Sequence, residues 1–287
     1  MANKGHYRRV GGTRQGIYVC SPSGILLNSV NSLNPDDVLK MIEIGLDKWN
    51  SLPLSDRQVF NDFEPKARHR WENSYPENGM VLNLSKIDLF TDPPLQSERS
   101  DRWNRDYVWF NKDETRLWLP ENPQKGDIYN LPDILSDRLF CFHLVDNTRG
   151  QTLPFAPQEI KESLIEIEVQ DLRNSSIQIK ITGNSKAVSR GPWLFGENDW
   201  TPNYELDHGI STNLLGYATY DLKFEKFTKF EIVSIGKRNG KTKNNGRQNS
   251  PDTGYIGFYF TLAENKSLDR IAPAFVDVYN ADWIIHP

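Results

Sequence analysis

Cysteine is scarce in this sequence, with only Cys20 and Cys141 among 287 residues. Two cysteines do not make the disulfide framework of a small secreted domain, and neither has a partner at the Cys-x-x-Cys spacing of redox enzymes. Both lie in apolar runs, which favours buried thiols, although the sequence leaves a disulfide between them open. We therefore predict no dithiol redox activity.

The sequence also lacks a basic excess, a long apolar run and a leader. Its 34 basic and 38 acidic residues give a net charge of −4, which argues against general nucleic-acid binding. No apolar run approaches the roughly 20 residues that span a membrane, and no apolar segment follows the charges of residues 1–10. These absences predict a cytoplasmic protein without a membrane partner, unless a leader has been removed.

Cofactor and metal motifs are missing as well. The sequence contains no Walker motif, no dinucleotide fingerprint and no Gly-x-Ser-x-Gly. No His-x-x-x-His or Cys/His ligand pattern occurs. The five histidines are widely separated: His6, His69, His143, His208 and His286. We therefore expect no cofactor and no metal site.

The first sixty residues carry clear local signals. Strand-like residues 16–20 and 25–30 flank a Ser-Pro-Ser-Gly turn, which predicts a β-hairpin. Asn34 is a good helix N-cap, and Pro35 suits the first helical position. The following apolar residues are spaced as one face of a helix: Val38, Met41, Ile42, Leu46 and Trp49.

The rest of the chain divides at about residue 130. Residues 61–130 show no clear period and predict an irregular, aromatic-rich wrap, with short strands at 107–110 and 115–119. A helix is predicted over 133–144, and from residue 162 apolar and polar residues alternate with the period of a strand. The predicted fold class is therefore α+β, in which residues 131–287 form a helix and an antiparallel β-meander, either a curved sheet or a partly closed barrel.

Two resemblances accompany this division. The hairpin with Gly16-Ile-Tyr-Val-Cys20 and the Pro-started helix resemble the end of a thioredoxin-like fold, so residues 1–60 are expected to be a remnant of it without its Cys-x-x-Cys pair. A larger part of the chain resembles an uncharacterised bacterial family that joins a thioredoxin-like segment to a β-rich domain. That resemblance implies the architecture and brings no activity with it. It is carried by residues 139–150, 214–221, 227–236 and 270–273.

The end of the predicted helix at 133–144 is the first candidate site. His143 is suited to act as a base, Asp146 to orient it, and Arg149 to hold an anion. Asn147 adds a binding group in the same turn. The alternative is structural, with His143 capping the helix and the turn braced by an Asp146–Arg149 ion pair.

Two long loops, at 189–209 and 237–253, supply further binding candidates, since loops of this length on a compact scaffold are often functional. Trp193, Trp200 and Tyr204 are suited to line a ligand site, or else to close the core as a lid. The second loop holds a basic run in which Arg238 and Arg247 are candidates for an anion or an acidic partner. The alternative for that run is a solvated loop.

No motif fixes a reaction, so two hypotheses remain. The first is a non-redox protein that binds a small molecule or a protein partner. The second is a hydrolase-type enzyme with His143, Asp146 and Arg149 in one cleft. The geometry of these three side chains should discriminate between them.

Overall fold

The computed structural model describes residues 16–58, 74–89, 103–150, 152–173, 175–190, 206–242, 245–264, 266 and 269–275. The chain divides into two compact units, Met1–Lys66 and Ala67–Pro287. No helix in the described ranges has the length and apolar content that a membrane span requires.

The first unit contains the predicted hairpin and helix. Asn34 caps the helix as predicted, because its side chain accepts a hydrogen bond from the backbone N–H of Asp36 at 2.9 Å. Two side chains tie helix to hairpin: Asn28 donates to the carbonyl of Met41, and Lys48 donates to the carbonyl of Leu27. The elements are β1 (Ile17–Cys20), β2 (Leu26–Val30), α1 (Pro35–Ser51) and α2 (Leu54–Arg57).

The packed face of α1 agrees in part with the predicted one. Met41 is buried and Val38 and Trp49 are half-buried, as predicted, whereas Ile42 and Leu46 are exposed and Gly45 is buried. Gly45 explains the difference, since a Cβ there would lie 3.2 Å from a methyl group of Val19. The helix therefore packs its smallest residue against β1, and the spacing of the large apolar residues was misleading only for Ile42 and Leu46.

The second unit is built on one antiparallel sheet of eight strands, in the order β4-β3-β10-β9-β8-β7-β6-β5. The sheet is not closed, and this mixed helix–strand, β-rich architecture confirms the coarse fold class. From β6 to β10 the strands follow one another as a meander. The strands are β3 (Met80–Leu89), β4 (Trp103–Phe110), β5 (Ile128–Asn130), β6 (Ile160–Arg173), β7 (Ser176–Ser189), β8 (His208–Asp221), β9 (Lys226–Asn239) and β10 (Thr253–Leu262).

Three of these strands, β3, β4 and β5, lie within residues 61–130, for which the sequence predicts an irregular wrap. The short strand predicted at 107–110 is part of β4, but the one predicted at 115–119 is wrong. A helix, α3 (Lys112–Arg116), lies there instead. Asn111 and Glu114 form a capping box around its first turn, which stabilises helix over strand.

One face of the sheet carries the core. Alternate residues of the strands, including Leu82, Ile179 and Phe258, point to this inner face and are almost fully buried. The predicted helix at 133–144 consists of α4 (Asp133–Arg138) and a π-helical turn, Leu139–His143. Its apolar side chains Leu135, Leu139 and Phe140 pack into the same core.

Candidate functional site

The inner face of the sheet becomes charged at one end. Lys86 and Asp88 on β3 and Arg238 on β9 occupy inward positions that continue the apolar rows of their strands. The turn after the π-helical segment, residues 145–150, lies over this end, together with the loop between β9 and β10. We call Asp88, Asp146, Arg149, Arg238 and Arg247 the ionic cluster.

Arg247 stands at the centre of the ionic cluster. Its Nη1 and Nη2 donate to the two oxygens of Asp88 at 2.6 and 2.7 Å, a bidentate pair. Its Nε and Nη2 donate to Asp146, with the shortest contact 2.6 Å. One guanidinium therefore joins β3 to the turn after the π-helical segment. Only 1% of the Arg247 residue surface is exposed.

Arg149 pairs with Asp88 rather than with Asp146, the partner expected from the sequence. Its Nη1 also donates to the hydroxyl of Ser250 at 3.0 Å. Asp146 instead accepts from Arg247 and from the side-chain amide of Asn245. The two predicted partners are thus linked only indirectly, through Asp88 and Arg247, because the guanidinium of Arg149 reaches the sheet.

Arg238 is held mainly by backbone carbonyls. It donates to the carbonyls of Gly240, Pro251 and Asp252 at 3.2 to 3.3 Å, and its Nε lies 3.7 Å from an oxygen of Asp146. Burial and the neighbouring Arg247 hold the pKa of Arg238 below its usual value. Arg238 and Arg247, two members of the basic run, are therefore buried and tie down the β9–β10 loop, whereas Lys237 of the same run is exposed.

His143 belongs to a second buried group. Its Nδ1 lies 3.0 Å from Oδ2 of Asp106, whose other oxygen, Oδ1, accepts from the backbone N–H of Tyr107 and of Ala274. Lys86 lies 3.9 Å from the same carboxylate and donates to the side-chain oxygen of Asn147 at 2.8 Å. The binding candidate Asn147 thus fixes a buried lysine.

Burial perturbs this group strongly. It lowers the pKa of Lys86 to about 8, although Asp106 and Asp146 act in the opposite direction. It also lowers the pKa of His143 despite the adjacent carboxylate of Asp106. Burial alone would raise the pKa of Asp106, but His143, Lys86 and the Ala274 N–H hold it far below its usual range. His143 is therefore neutral near pH 7, with Asp106 charged beside it.

The three catalytic candidates are consequently distributed over separate pairs. His143 contacts Asp106, Asp146 contacts Arg247, and Arg149 contacts Asp88. Trp193, Trp200 and Tyr204 lie outside the described residues. Sequence reasoning did not single out Lys86, Asp88 or Asp106, and the available signal was weak: charges at inward positions of alternating strands. Within the described ranges, no group of three or more metal-binding side chains occurs.

The other face of the sheet shows a different surface. Eight large apolar side chains are 43 to 58% exposed on this face. They lie on five neighbouring strands, β4, β3, β10, β9 and β8. We call them the outer patch. They are Ile87, Trp103, Leu215, Tyr217, Val233, Ile235, Tyr255 and Tyr259.

Strand register makes the outer patch contiguous. Leu215 pairs with Val233, and Val233 pairs with Tyr259. In the next row Ile235 pairs with Gly257, which pairs with Ile87. Two grooves of about 760 and 630 Å³ run over this surface and share Val233, Ile235 and Tyr259 in their walls.

No protein family, curated protein or solved structure matches this chain.

Proposed function

We propose that this chain is a non-redox binding protein that holds a protein partner against the outer patch. The observation that carries this proposal is the continuous apolar surface on five strands of an otherwise well-packed sheet. Monomeric proteins rarely leave more than a few hundred Å² of contiguous apolar surface in water, and larger patches mark interaction sites.

The size of the outer patch supports a protein partner. Five strands at about 4.8 Å spacing and seven residues at about 3.4 Å rise cover roughly 24 by 24 Å, or nearly 600 Å² in projection. Tyr217, Tyr255, Tyr259 and Trp103 add the aromatic side chains that interfaces favour. An open surface of this extent, with shallow grooves, suits another protein surface better than it suits a small molecule, which prefers an enclosed cavity.

The inner face gives less support to the hydrolase hypothesis. Its one favourable feature is the His143–Asp106 contact, which resembles a base oriented by a carboxylate. However, His143 is fully buried, and Asp146 and Arg149 are engaged with other partners. A non-redox role agrees with Cys141, because burial raises the pKa of its thiol to about 12. The order of hairpin and helix in the first unit is compatible with a structural, thioredoxin-like remnant.

Site-specific photo-crosslinking in cells tests the proposal. We would place p-benzoylphenylalanine at position 235 in the outer patch and, as a control, at position 162. Glu162 is exposed on β6 of the same sheet, two strands beyond β8, where it pairs with Lys186. We expect an adduct from position 235 that Leu215→Lys abolishes. No adduct, or the same adduct from position 162, would contradict the proposal.

A further inference from the structure

We propose that the partner at the outer patch is a second copy of this chain, packed face to face by antiparallel β9 strands. This inference rests on the proposed function. The twofold axis would run midway between the two sheets, parallel to their planes and perpendicular to the strands. It would pass over β9 at the level of Ser234. Such an axis places each residue of β9 opposite the residue equally far from Ser234 on the partner strand.

The charges on β9 fit this symmetry. Glu231 and Lys237 are both exposed on the outer face, three residues before and three residues after Ser234. The axis therefore brings Glu231 of one copy opposite Lys237 of the other, and the pair forms twice. A parallel arrangement of the same strands would instead place like charges opposite each other, which is unfavourable. The charge pattern thus selects one of the two face-to-face arrangements.

The side-chain sizes fit the same axis. Val233 lies opposite Ile235 of the other copy, so that the centre of the contact is aliphatic. On β10, Tyr259 is in register with Val233 and Gly257 with Ile235. The axis consequently places Tyr259 opposite the glycine of the other copy, where the missing side chain leaves room, while the Tyr259 hydroxyl donates to Glu231 of its own copy at 3.3 Å. Large and small residues alternate across the contact, as close packing requires.

The area is sufficient for a reversible dimer. Two faces of nearly 600 Å² each in projection reach about 1,200 Å², the lower end of the range for stable interfaces. Two twisted sheets pack at about −30°, so contact is closest near the axis and looser at the edges. We therefore expect a dimer that dissociates in the micromolar range rather than an obligate one.

Sedimentation equilibrium of a charge-swap series tests the inference. Glu231→Lys makes both facing positions positive, and Lys237→Glu makes both negative. Each variant alone should dimerise at least about tenfold more weakly than the wild type, because two symmetric pairs change from attraction to repulsion. An equimolar mixture of the two variants should recover the association, since every facing pair is then opposite in charge. Val233→Lys should abolish it, and Glu162→Lys, an exposed charge reversal on β6 outside the outer patch, should have no effect.

Weakening by each single substitution, together with recovery in the mixture, identifies a second copy and the antiparallel arrangement. In a parallel arrangement like charges already face each other in the wild type, so neither substitution alone would weaken the contact. The inference is overturned if the wild type stays monomeric at a protein concentration of about 100 micromolar. It is also overturned if both charge variants dimerise like the wild type. A monomer whose position 235 still crosslinks to a different protein overturns the dimer and leaves the proposed function intact. A monomer without a crosslink overturns both.

Discussion

Replacing Arg247 with methionine should show what the ionic cluster contributes to stability. Arg247→Met removes the charge and keeps most of the side-chain volume, so that it separates the lost ion pairs from a cavity effect. The change leaves Asp88 and Asp146 buried without the guanidinium that bridges them. Breaking a buried pair in this way costs about 3–5 kcal/mol.

The expected result is a large fall in thermal stability. For a unit of this size, each kcal/mol shifts the Tm by about 2–4 °C, so the Tm should fall by roughly 6–20 °C. Differential scanning calorimetry and urea unfolding at pH 7 would measure the change. Remaining contacts of Asp88 with Arg149, and of Asp146 with Asn245, favour the lower half of this range.

Arg116→Met is the matched control. Arg116 also pairs with a carboxylate, Glu225, at 3.0 Å, but the two side chains are 49% and 55% exposed. Water screens such a pair, so its loss should leave the Tm almost unchanged. If Arg247→Met is no more destabilising than Arg116→Met, the ionic cluster does not hold the sheet to the turn, and our reasoning is refuted.

Three further predictions concern the inner face. Gly246→Ala should cost at least about 1–2 kcal/mol, because Gly246 has φ of +70° and a Cβ would lie 2.8 Å from the carbonyl oxygen of Arg149; urea unfolding within 0.5 kcal/mol of wild type would contradict this. Since the pKa of His143 is lowered, the unfolded chain takes up a proton near pH 6.5 that the native protein does not, and stability should fall as the pH drops below that value. His143→Gln should remove that part of the pH dependence, and an unchanged profile would count against the burial argument. Iodoacetamide at pH 8 should alkylate Cys141 only as fast as the protein unfolds, because its thiol is buried with a pKa of about 12; rapid labelling of the native protein would show that the thiol is accessible.

The sequence predicted elements whose signals are local. The hairpin of β1 and β2, the capped start of α1 and the alternating strands from β6 to β10 were all visible as short patterns. The pairing of β3 and β4 was not visible in the sequence. Near Phe110, β4 is buried on both faces, so its apolar and polar residues do not alternate. The second neighbour of β3 is β10, which lies more than 150 residues further along the chain.

The candidate site shows the same limit. His143, Asp146 and Arg149 were singled out because they lie within seven residues, but none of them pairs with another in the expected way. Their partners Asp106 and Asp88 come from β4 and β3. Charged residues in an unassigned segment are expected to face solvent, so that only tertiary structure shows them to be buried.

The pairing of β3 with β10 also bears on how the protein folds. Leu82 on β3 is in register with Leu262 on β10. The two strands can therefore pair only after nearly the whole sheet has been synthesised. Contacts between residues so far apart in the chain form slowly, because a long loop must close first. We expect the meander of β6 to β9 to form early on the ribosome, while the β3–β4 pair waits with an unpaired edge until β10 emerges. During that interval the carboxylate of Asp88 is still hydrated, and its burial by Arg247 is one of the last steps that commit the chain to its native state.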